Sequence, residues 1–377
     1  MKSKIAVLAL ASSFISYAVQ AEINLSGFAS ITGGITTSSD EALYGFNDTF
    51  DFKNGSLLAI QASSNIGEGL DITAQIVSRG ENDWDTKFEW AYVSYNVNDK
   101  LRLLAGRQRA PFYMYSDFLD VSYAYPWITP PQGVYDLIFN TFDGLSGIYS
   151  TTLGEFDSTY HFIVGNNSDE IEAFGETTKP SMDNLMGGAA TFTRDWLTLR
   201  AAYFSADVSI PLMSLDTLAG NWNAVGYQAY GDNTRIFEDK GTFWELGFQM
   251  DFDGVMVIGE YTSLEIDNTL LGDEESYYLM FSKRFDNYLI HITYGVDETS
   301  INDFTRGLPT GTPLDALKLP TQGIIASRKA EQSYVTVGLR WDFHNSASLK
   351  FEYTDFSDDI NSSNDAGLFR TSLVTIF

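Results

Sequence analysis

The chain has 377 residues, no cysteine and a formal net charge of −27, with 23 basic against 50 acidic side chains. Such acidity excludes nucleic acid and an anionic membrane surface as partners. The lack of cysteine excludes a disulfide scaffold and a lipid-anchored cysteine. Aromatic residues make up 15% of the chain, a content that suits the aromatic belts of membrane proteins.

The first 21 residues predict a cleaved export signal. Lys2 and Lys4 form a positive start, an apolar stretch begins at Ile5, and Val19-Gln20-Ala21 has the small-x-small pattern of a cleavage site. We therefore expect cleavage after Ala21, which leaves a mature chain of residues 22–377 as one domain. This remainder has no run of about 18 apolar residues, so no transmembrane helix is expected.

From residue 23 onward the chain alternates apolar and polar residues in segments of about ten, as half-buried strands do. The clearest case is residues 70–76, which read Leu-Asp-Ile-Thr-Ala-Gln-Ile. Predicted strands lie at 23–36, 55–65, 69–79, 86–97, 100–108, 141–152, 155–165, 184–193, 196–206, 241–252, 255–264, 275–285, 288–297, 332–343, 346–356 and 367–377. Sixteen is an even number, as bacterial single-chain barrels require. Strands 86–97 and 100–108 are apolar on both faces, so the pattern leaves their register open.

The connections between these strands are alternately short and long. Tight turns lie at 65–68, 98–99, 153–154, 194–195, 253–254, 286–287 and 344–345. The longer connections are 37–54, 80–85, 109–140, 166–183, 207–240, 265–274, 298–331 and 357–366. Short periplasmic turns opposite long external loops are typical of outer-membrane barrels. Six aromatic residues adjoin the short turns and predict an interfacial girdle: Trp196, Phe252, Phe285, Tyr288, Trp341 and Phe343.

The last predicted strand ends on an aromatic residue, Phe377. An exported chain without a membrane helix can span lipid only as a closed barrel, because every backbone polar group must be paired internally. We therefore predict an all-β fold, a 16-stranded antiparallel transmembrane β-barrel in the outer membrane, closed between the first and last strands. A soluble β-sandwich or lectin is the alternative for alternating strands, but the matched turns and terminal Phe377 favour the barrel.

The sequence carries no enzyme signature. It has no Gly-x-Ser-x-Gly, no His-x-x-x-His pair and no cysteine nucleophile. The three histidines, His161, His291 and His344, lie on separate predicted strands or turns, and parity places His291 toward the lumen. We therefore expect neither an enzyme nor a cofactor.

The third long connection, 109–140, is rich in Phe, Tyr, Trp, Leu and Ile. A loop exposed to water should be polar, so this one needs a place of burial. A sixteen-stranded barrel leaves a channel wide enough to receive it, and we predict that the third loop folds into the lumen. Packing on a neighbouring protomer, or a short helix outside the lumen, are the alternatives.

The mature chain resembles the trimeric outer-membrane porins of Gram-negative bacteria. The matching features are Ile23-Asn24-Leu25-Ser26-Gly27-Phe28 in the first strand, Leu103-Leu104-Ala105-Gly106-Arg107-Gln108 before the third loop, and the terminal Phe377. The resemblance implies a homotrimer and an infolded third loop whose carboxylates face arginines on the opposite wall. It assigns Arg107 to that wall. The second loop, 80–85, is short for the latch that braces neighbouring subunits in this family.

Parity adds further basic residues to the predicted lumen wall. Arg200, Arg340 and Lys350 each follow a leucine that points to lipid, so their own side chains face inward. The acidic side of the constriction is predicted on the third loop. Its candidate residues are Asp117, Asp120 and Asp136.

We therefore expect a water-filled channel for passive diffusion of ions and small hydrophilic solutes, with a modest cation preference from the acidic excess. One alternative is a substrate-selective channel, for instance for an oligosaccharide, with loop aromatics as a stacking track. That possible track comprises Tyr113, Tyr115, Tyr123 and Trp127. The other alternative is a structural or adhesive surface barrel with a plugged lumen.

Acidic groups also recur in the predicted external loops. They lie at 40–41, 169–170, 273–275 and 358–359. They are either solvated surface or sites for divalent cations, which prefer carboxylates and would tie the loops to lipopolysaccharide phosphates.

Overall fold

The structure is a computed structural model that describes residues 22–173 and 175–377. The predicted export signal, residues 1–21, lies outside the described residues. The barrel strands are β1 Ile23–Thr36, β2 Leu57–Gly67, β3 Leu70–Arg79, β4 Thr86–Asn96, β5 Leu101–Arg109, β6 Thr141–Leu153, β7 Phe156–Asn167, β10 Ser181–Arg194, β11 Leu197–Ile210, β12 Ile236–Phe252, β13 Val255–Ile266, β14 Asp273–Phe285, β15 Tyr288–Ser300, β16 Ala330–His344, β17 Ala347–Asp358 and β18 Ala366–Ile376. Two short strands outside the barrel are β8 Ile171–Ala173 and β9 Glu176–Thr178.

The sixteen longer strands form one closed antiparallel barrel, as predicted. Each pairs with its neighbours along the chain, and β18 pairs with β1 to close the sheet. The closure continues to the last residue, because Gly27 and Phe377 exchange backbone hydrogen bonds of 2.8 and 2.9 Å. A side chain at Gly27 would collide with the Phe377 ring, so glycine lets the terminal aromatic lie across the first strand.

Side chains alternate between the two faces as the sequence pattern predicts. On β12, Trp244 and Leu246 are exposed on the outer face, whereas Glu245 between them is fully buried. In lipid an apolar outer row is favourable, and the polar row must face the interior. The predicted girdle residues are exposed at the short-turn end of the barrel. There Tyr288 stacks on Trp341, with ring centroids 6.1 Å apart.

Two long connections contain helices where the sequence pattern indicated only loops. Connection 207–240 holds α1 Met213–Ala224 and α2 Gln228–Thr234, and connection 298–331 holds α3 Asp315–Arg328. The flanking strands β11 and β12 also extend further than predicted. Within the described part of the chain, no helix is both long enough and apolar enough to cross a membrane.

The helices form a cap on one side of the long-loop end. The Trp222 indole N–H of α1 donates to the Thr321 hydroxyl of α3 at 3.1 Å, and Trp222 is fully buried. Beneath the cap lie buried apolar side chains from the ends of the inward-facing strand rows, including Val208 and Ile210 of β11. Burial of this apolar cluster explains why the loop sequence folds back onto the barrel.

Candidate functional site

The third loop, residues 110–140, joins β5 to β6 but hydrogen-bonds to strands on the far side of the barrel. The Trp127 indole donates to Thr293 of β15 at 2.8 Å, and the Tyr115 hydroxyl donates to Gln249 of β12 at 2.8 Å. The Ile128 amide donates to Glu352 of β17 at 2.7 Å. Because these wall side chains belong to inward-facing rows, the third loop crosses the lumen.

Three predicted wall cations, Arg200, Arg340 and Lys350, do face inward, but the third loop covers them. Arg340 donates to the carbonyl oxygens of Tyr123 at 2.8 Å and Tyr125 at 3.0 Å. Lys350 is only 1% exposed, and its ammonium donates to three carbonyl oxygens of the loop, at Ser122, Tyr125 and Trp127.

Arg200 plays the same part at the start of the third loop. Its guanidinium donates to the carbonyl oxygens of Pro111 and of Phe112, the latter at 3.1 Å, and pairs with Glu245 at 2.5 Å. A buried cation needs such partners because it has lost its hydration. The predicted wall cations therefore hold the loop backbone instead of facing an open passage.

Buried carboxylates hold the loop from the same wall by accepting from its amides and hydroxyls. Glu260 accepts from the Met114 amide at 2.9 Å and from the Tyr135 hydroxyl at 2.6 Å. Glu352 accepts from Ile128 and pairs with Arg370 at 2.8 Å. Hydrogen bonds to ionised groups are the strong ones, so the loop is fixed at several points along its length.

His291 lies beside this group, its Nε2 atom 3.7 Å from the Glu352 carboxylate. It faces the interior, as parity predicted, and is 2% exposed. A side chain at Gly338 on the neighbouring strand would collide with its ring. Glycine at position 338 therefore makes room for His291.

The acidic partner of the constriction is Asp120, but its arginines are not those predicted. Its carboxylate accepts from Arg79 at 2.9 Å and from Arg109 at 2.5 Å. Glu89 completes the group, with 2.6 Å to Arg79 and 2.9 Å to Arg109. Burial alone would raise the pKa of Asp120, but the charges of Arg109 and Arg79 lower it to about 2.

Part of this cluster could have been found from the sequence. Arg79 belongs to the inward row of β3 with Thr73, Gln75 and Val77, all buried, so parity identifies it. Glu89 sits at an irregularity between the pairs Gln75–Trp90 and Ile76–Phe88, where one extra residue interrupts the ladder. No alternation rule places such a residue.

Arg107 was predicted on the lumen wall, and this assignment is wrong. It shares the outer row of β5 with Leu103 and Ala105, which are exposed. Its guanidinium pairs with Asp143 at 3.3 Å and with Asp169 of the fourth loop at 2.7 Å. Because the other residues of this row face the lipid, Arg107 and its carboxylate partners lie on the outer side of the barrel.

The possible aromatic track is not an exposed surface. Tyr113 is 3% exposed and Trp127 is 2% exposed, both within the main apolar cluster of the barrel interior. Tyr115 and Tyr123 are half-buried, and the Arg340 guanidinium lies 4.8 Å from the Tyr123 ring centroid. A solute could not stack on rings that the protein itself covers, so this set does not form the predicted track.

Open space remains in the lumen on the β1–β4 side of the third loop. One cavity of about 630 Å³ lies toward the short-turn end and is lined by Gln61, Gln75, Trp90 and Asp117. Another of about 220 Å³ is lined by Ser30, Ser56, Arg79 and Asp120. Asp117 is exposed and also borders a third cavity, of about 280 Å³, beside His161.

The acidic external loops use several of their carboxylates within the protein. Glu41 accepts from the Ser38 and Gly367 amides, Asp169 pairs with Arg107, and Asp358 accepts from the Ile360 and Asn361 amides at 3.0 Å each. Over residues 22–173 and 175–377, no group of three or more His, Cys, Asp or Glu side chains is placed to hold a metal ion.

A closed sixteen-stranded barrel with an apolar outer surface, charged and polar side chains on its inner wall and a loop across its lumen defines an outer-membrane channel for passive diffusion. The sequence model of the Gram-negative porin family matches residues 5–361. The match spans nearly the whole chain, and the chain belongs to this family. The protein is therefore a porin of the outer membrane.

Solved structures of outer-membrane proteins share the fold. OmpF of Salmonella typhi, in complex with daunomycin, is similar with a TM-score of 0.59 and 12% identity, over 95% of this chain and 98% of that one. The anion-selective porin of Comamonas acidovorans gives 0.57 and 11%, over 95% and 100%. OmpT of Vibrio cholerae, described as a trimer form, gives 0.54 and 12%, over 95% and 99%. Comparison with curated proteins gives no match.

Proposed function

We propose that ions and small hydrophilic solutes pass between residues 117–121 of the third loop and the inner faces of β1–β4. The observation that carries this proposal is the pair of cavities, of about 220 and 630 Å³, that flank this segment on the same side of the barrel and into which Gln61, Gln75 and Asp117 project polar groups. Polar side chains can replace the hydrogen bonds that a solute loses with water, whereas an apolar solute would displace that water without compensation.

The narrowest point of the path is proposed at Val121. Its side chain packs against the inward-facing apolar group Phe28, Ala59 and Val77. Leu119 and Asp120 line the cavity toward the long loops, whereas Phe118 and Val121 line the cavity toward the short turns. Small movements of this segment would join the two spaces.

A modest cation preference is proposed for the channel. Arg79, Arg200, Arg340 and Lys350 are paired with carboxylates or covered by the third loop, whereas Asp117 is exposed to the cavities. The excess of acidic side chains over the chain adds a negative potential at the mouth. This potential acts over roughly 8 Å at physiological salt, so the preference should fade as the salt concentration rises.

We also propose a homotrimer, association of its external loops with lipopolysaccharide, and no catalytic activity. The family membership and the trimer form described for OmpT support the first of these. The acidic loops support the second through bridging divalent cations. For the third, His161, His291 and His344 lie on three different strands, β7, β15 and β16. Cross-linking of the protein in outer-membrane vesicles, with and without a chelator, tests both assembly proposals.

Conductance in planar bilayers tests the proposed path. Val121→Ala should raise the single-channel conductance and Val121→Trp should lower it, because the side chain at 121 occupies the gap to β1–β3. Val134→Ala is the matched control, since Val134 is buried in the same loop within the main interior cluster. Equal conductance in all variants would place the path elsewhere. No conductance from folded wild-type protein would overturn the diffusion function itself.

A further inference from the structure

A fourth cavity, distinct from the proposed solute path, lies on the opposite side of the third loop. It encloses about 350 Å³ between the loop and strands β10–β13. Its wall is apolar, with Leu185, Phe204, Phe243 and Leu264, and residues 137–139 of the loop contribute Leu, Ile and Phe. Ile138 remains 52% exposed although it lies within the barrel. Water in such a space lacks hydrogen-bond partners, and apolar cavities of this kind take up apolar molecules.

The rim of this cavity carries charge on one side. Asp136, Glu274 and Arg328 line it, and Arg328 lies 3.5 Å from Glu274. Asp297 adds a further negative charge close enough to act on Asp136, while its own carboxylate accepts from Ser276 at 2.7 Å. With three carboxylates against one guanidinium, the rim favours a cation.

We propose that this cavity is a binding site for a small amphiphilic organic cation, with its apolar part among β10–β13 and its protonated amine at Asp136. The volume lies within the usual range for small-molecule sites, and an apolar lining with a few polar groups at one edge is their usual composition. The site goes beyond passive diffusion, because it retains amphiphilic molecules instead of letting them pass. This proposal rests on the proposed function only in one respect: the cation reaches the cavity through the external mouth of the channel.

Three probes of one shape separate the contribution of the apolar cavity wall from that of the charged rim. Applied to the external side of a planar bilayer, 4-phenylbutylamine should reduce the current of the wild-type channel in a saturable way, because the third loop that lines the cavity with residues 137–139 also borders the solute path with residues 117–121. A current that the amine leaves unchanged would overturn the site. The neutral 4-phenylbutanol and the anionic 4-phenylbutanoate should require higher concentrations. Asp136→Asn should weaken the effect of the amine by about tenfold, the size of one charge-assisted hydrogen bond, and leave that of the alcohol unchanged.

Two further variants test the position of the site. Ala206→Phe places a ring in the cavity, and Ile138→Ser removes apolar surface from a half-exposed loop side chain and so does not depend on repacking the interior. Both should weaken block by the amine and the alcohol together. Asp359→Asn, an exposed external carboxylate outside the cavity, is the control for a general charge effect.

The outcomes are distinct. If Ala206→Phe and Ile138→Ser leave the block by the amine unchanged, the amine binds elsewhere and the cavity is not the site. Equal block by amine and alcohol, with no effect of Asp136→Asn, would overturn the cation preference. If Asp359→Asn weakens block by the amine as much as Asp136→Asn does, the amine blocks better than the alcohol because of the negative potential at the mouth. This result would overturn the role of Asp136. Current without any probe reports the diffusion function separately in every variant.

Discussion

Asp120→Asn is the sharpest test of how the third loop is held. The carboxylate of Asp120 faces two guanidinium groups, Arg79 and Arg109, and Glu89 supplies the second negative charge. Two cations and two anions balance, so removing one anion leaves a buried positive charge. Breaking a buried ion pair from one side costs about 3–5 kcal/mol.

The pKa of Asp120 gives a second measure of the same interaction. A folded-state pKa of about 2, against the ordinary 3.8, stabilises the ionised form at neutral pH by about 2–3 kcal/mol. We therefore expect Asp120→Asn to reduce the stability of the loop's position by about 2–5 kcal/mol. The barrel strands should remain paired, because their ladders do not depend on this carboxylate.

Hydrogen exchange of the folded protein is the suitable assay, since it reports local opening below the threshold of global unfolding. Amides of residues 112–128 should exchange faster in Asp120→Asn, while amides of the barrel strands should not. Asp117→Asn is the matched control, with the same substitution three residues away on an exposed side chain. If loop exchange is the same in wild type and Asp120→Asn, the cluster does not hold the loop and the reasoning fails.

The remaining predictions concern the far wall and the lumen charge. Lys350→Met leaves the carbonyls of Ser122 and Trp127 without their donor, at about 1–3 kcal/mol each, whereas the Tyr125 carbonyl keeps Arg340. The third loop should become sensitive to protease, and an intact loop would contradict this. Gly338→Ala should lower the yield of folded barrel through collision with His291, whereas Gly220→Ala, with nothing near its new methyl group, should not. Asp117→Asn should shift the reversal potential toward anions, more strongly at low salt, and an unchanged potential would remove this carboxylate from the path.

The barrel itself could be predicted from the sequence because lipid imposes a strict rule on it. Every strand must show an apolar outer row, and period two is therefore legible even in a chain of low overall hydrophobicity. The predicted rows of Trp244 and Leu246, and of Ile290 and Ile292, are exposed as expected. The short turns could be predicted equally well, since paired Asp, Asn and Gly residues tolerate the backbone angles that two-residue hairpins require.

The interior was less predictable because it depends on where one long loop lies. Parity placed Lys350 inside but could not show that its ammonium binds loop carbonyls 223–228 residues away in sequence. Arg107 was assigned by family resemblance, because strand 100–108 is apolar on both faces and its pattern left the register open. Only the structure shows that Arg107 shares the outer row with Leu103 and Ala105. A shift of one residue moves a side chain to the other face of a strand. A family resemblance that does not fix the register of β5 therefore cannot say which face Arg107 occupies.

The last prediction concerns pH and follows from Asp136 at the rim of the apolar cavity. Partial removal from bulk water, together with the negative charge of Asp297, raises the pKa of Asp136 to about 6, although Arg328 opposes the rise. The folded-state pKa thus exceeds the ordinary value of 3.8. The charged form is disfavoured in the folded protein, so this group lowers the stability progressively as pH rises from about 4 to about 6.

The same titration should be visible in the channel current. When the external pH falls from about 7 to about 5, Asp136 gains a proton, the rim loses a negative charge, and both the cation preference and the block by 4-phenylbutylamine should weaken. Glu274 of β14 and Arg328 of α3 line the same cavity, and the charge of Asp297 on β15 acts on Asp136, so the test must distinguish Asp136 from these groups. Asp136→Asn separates them, because it should remove the pH step near 6 while preserving conductance. If the step persists in Asp136→Asn, the proton binds to another carboxylate of the rim and the role given to Asp136 is wrong.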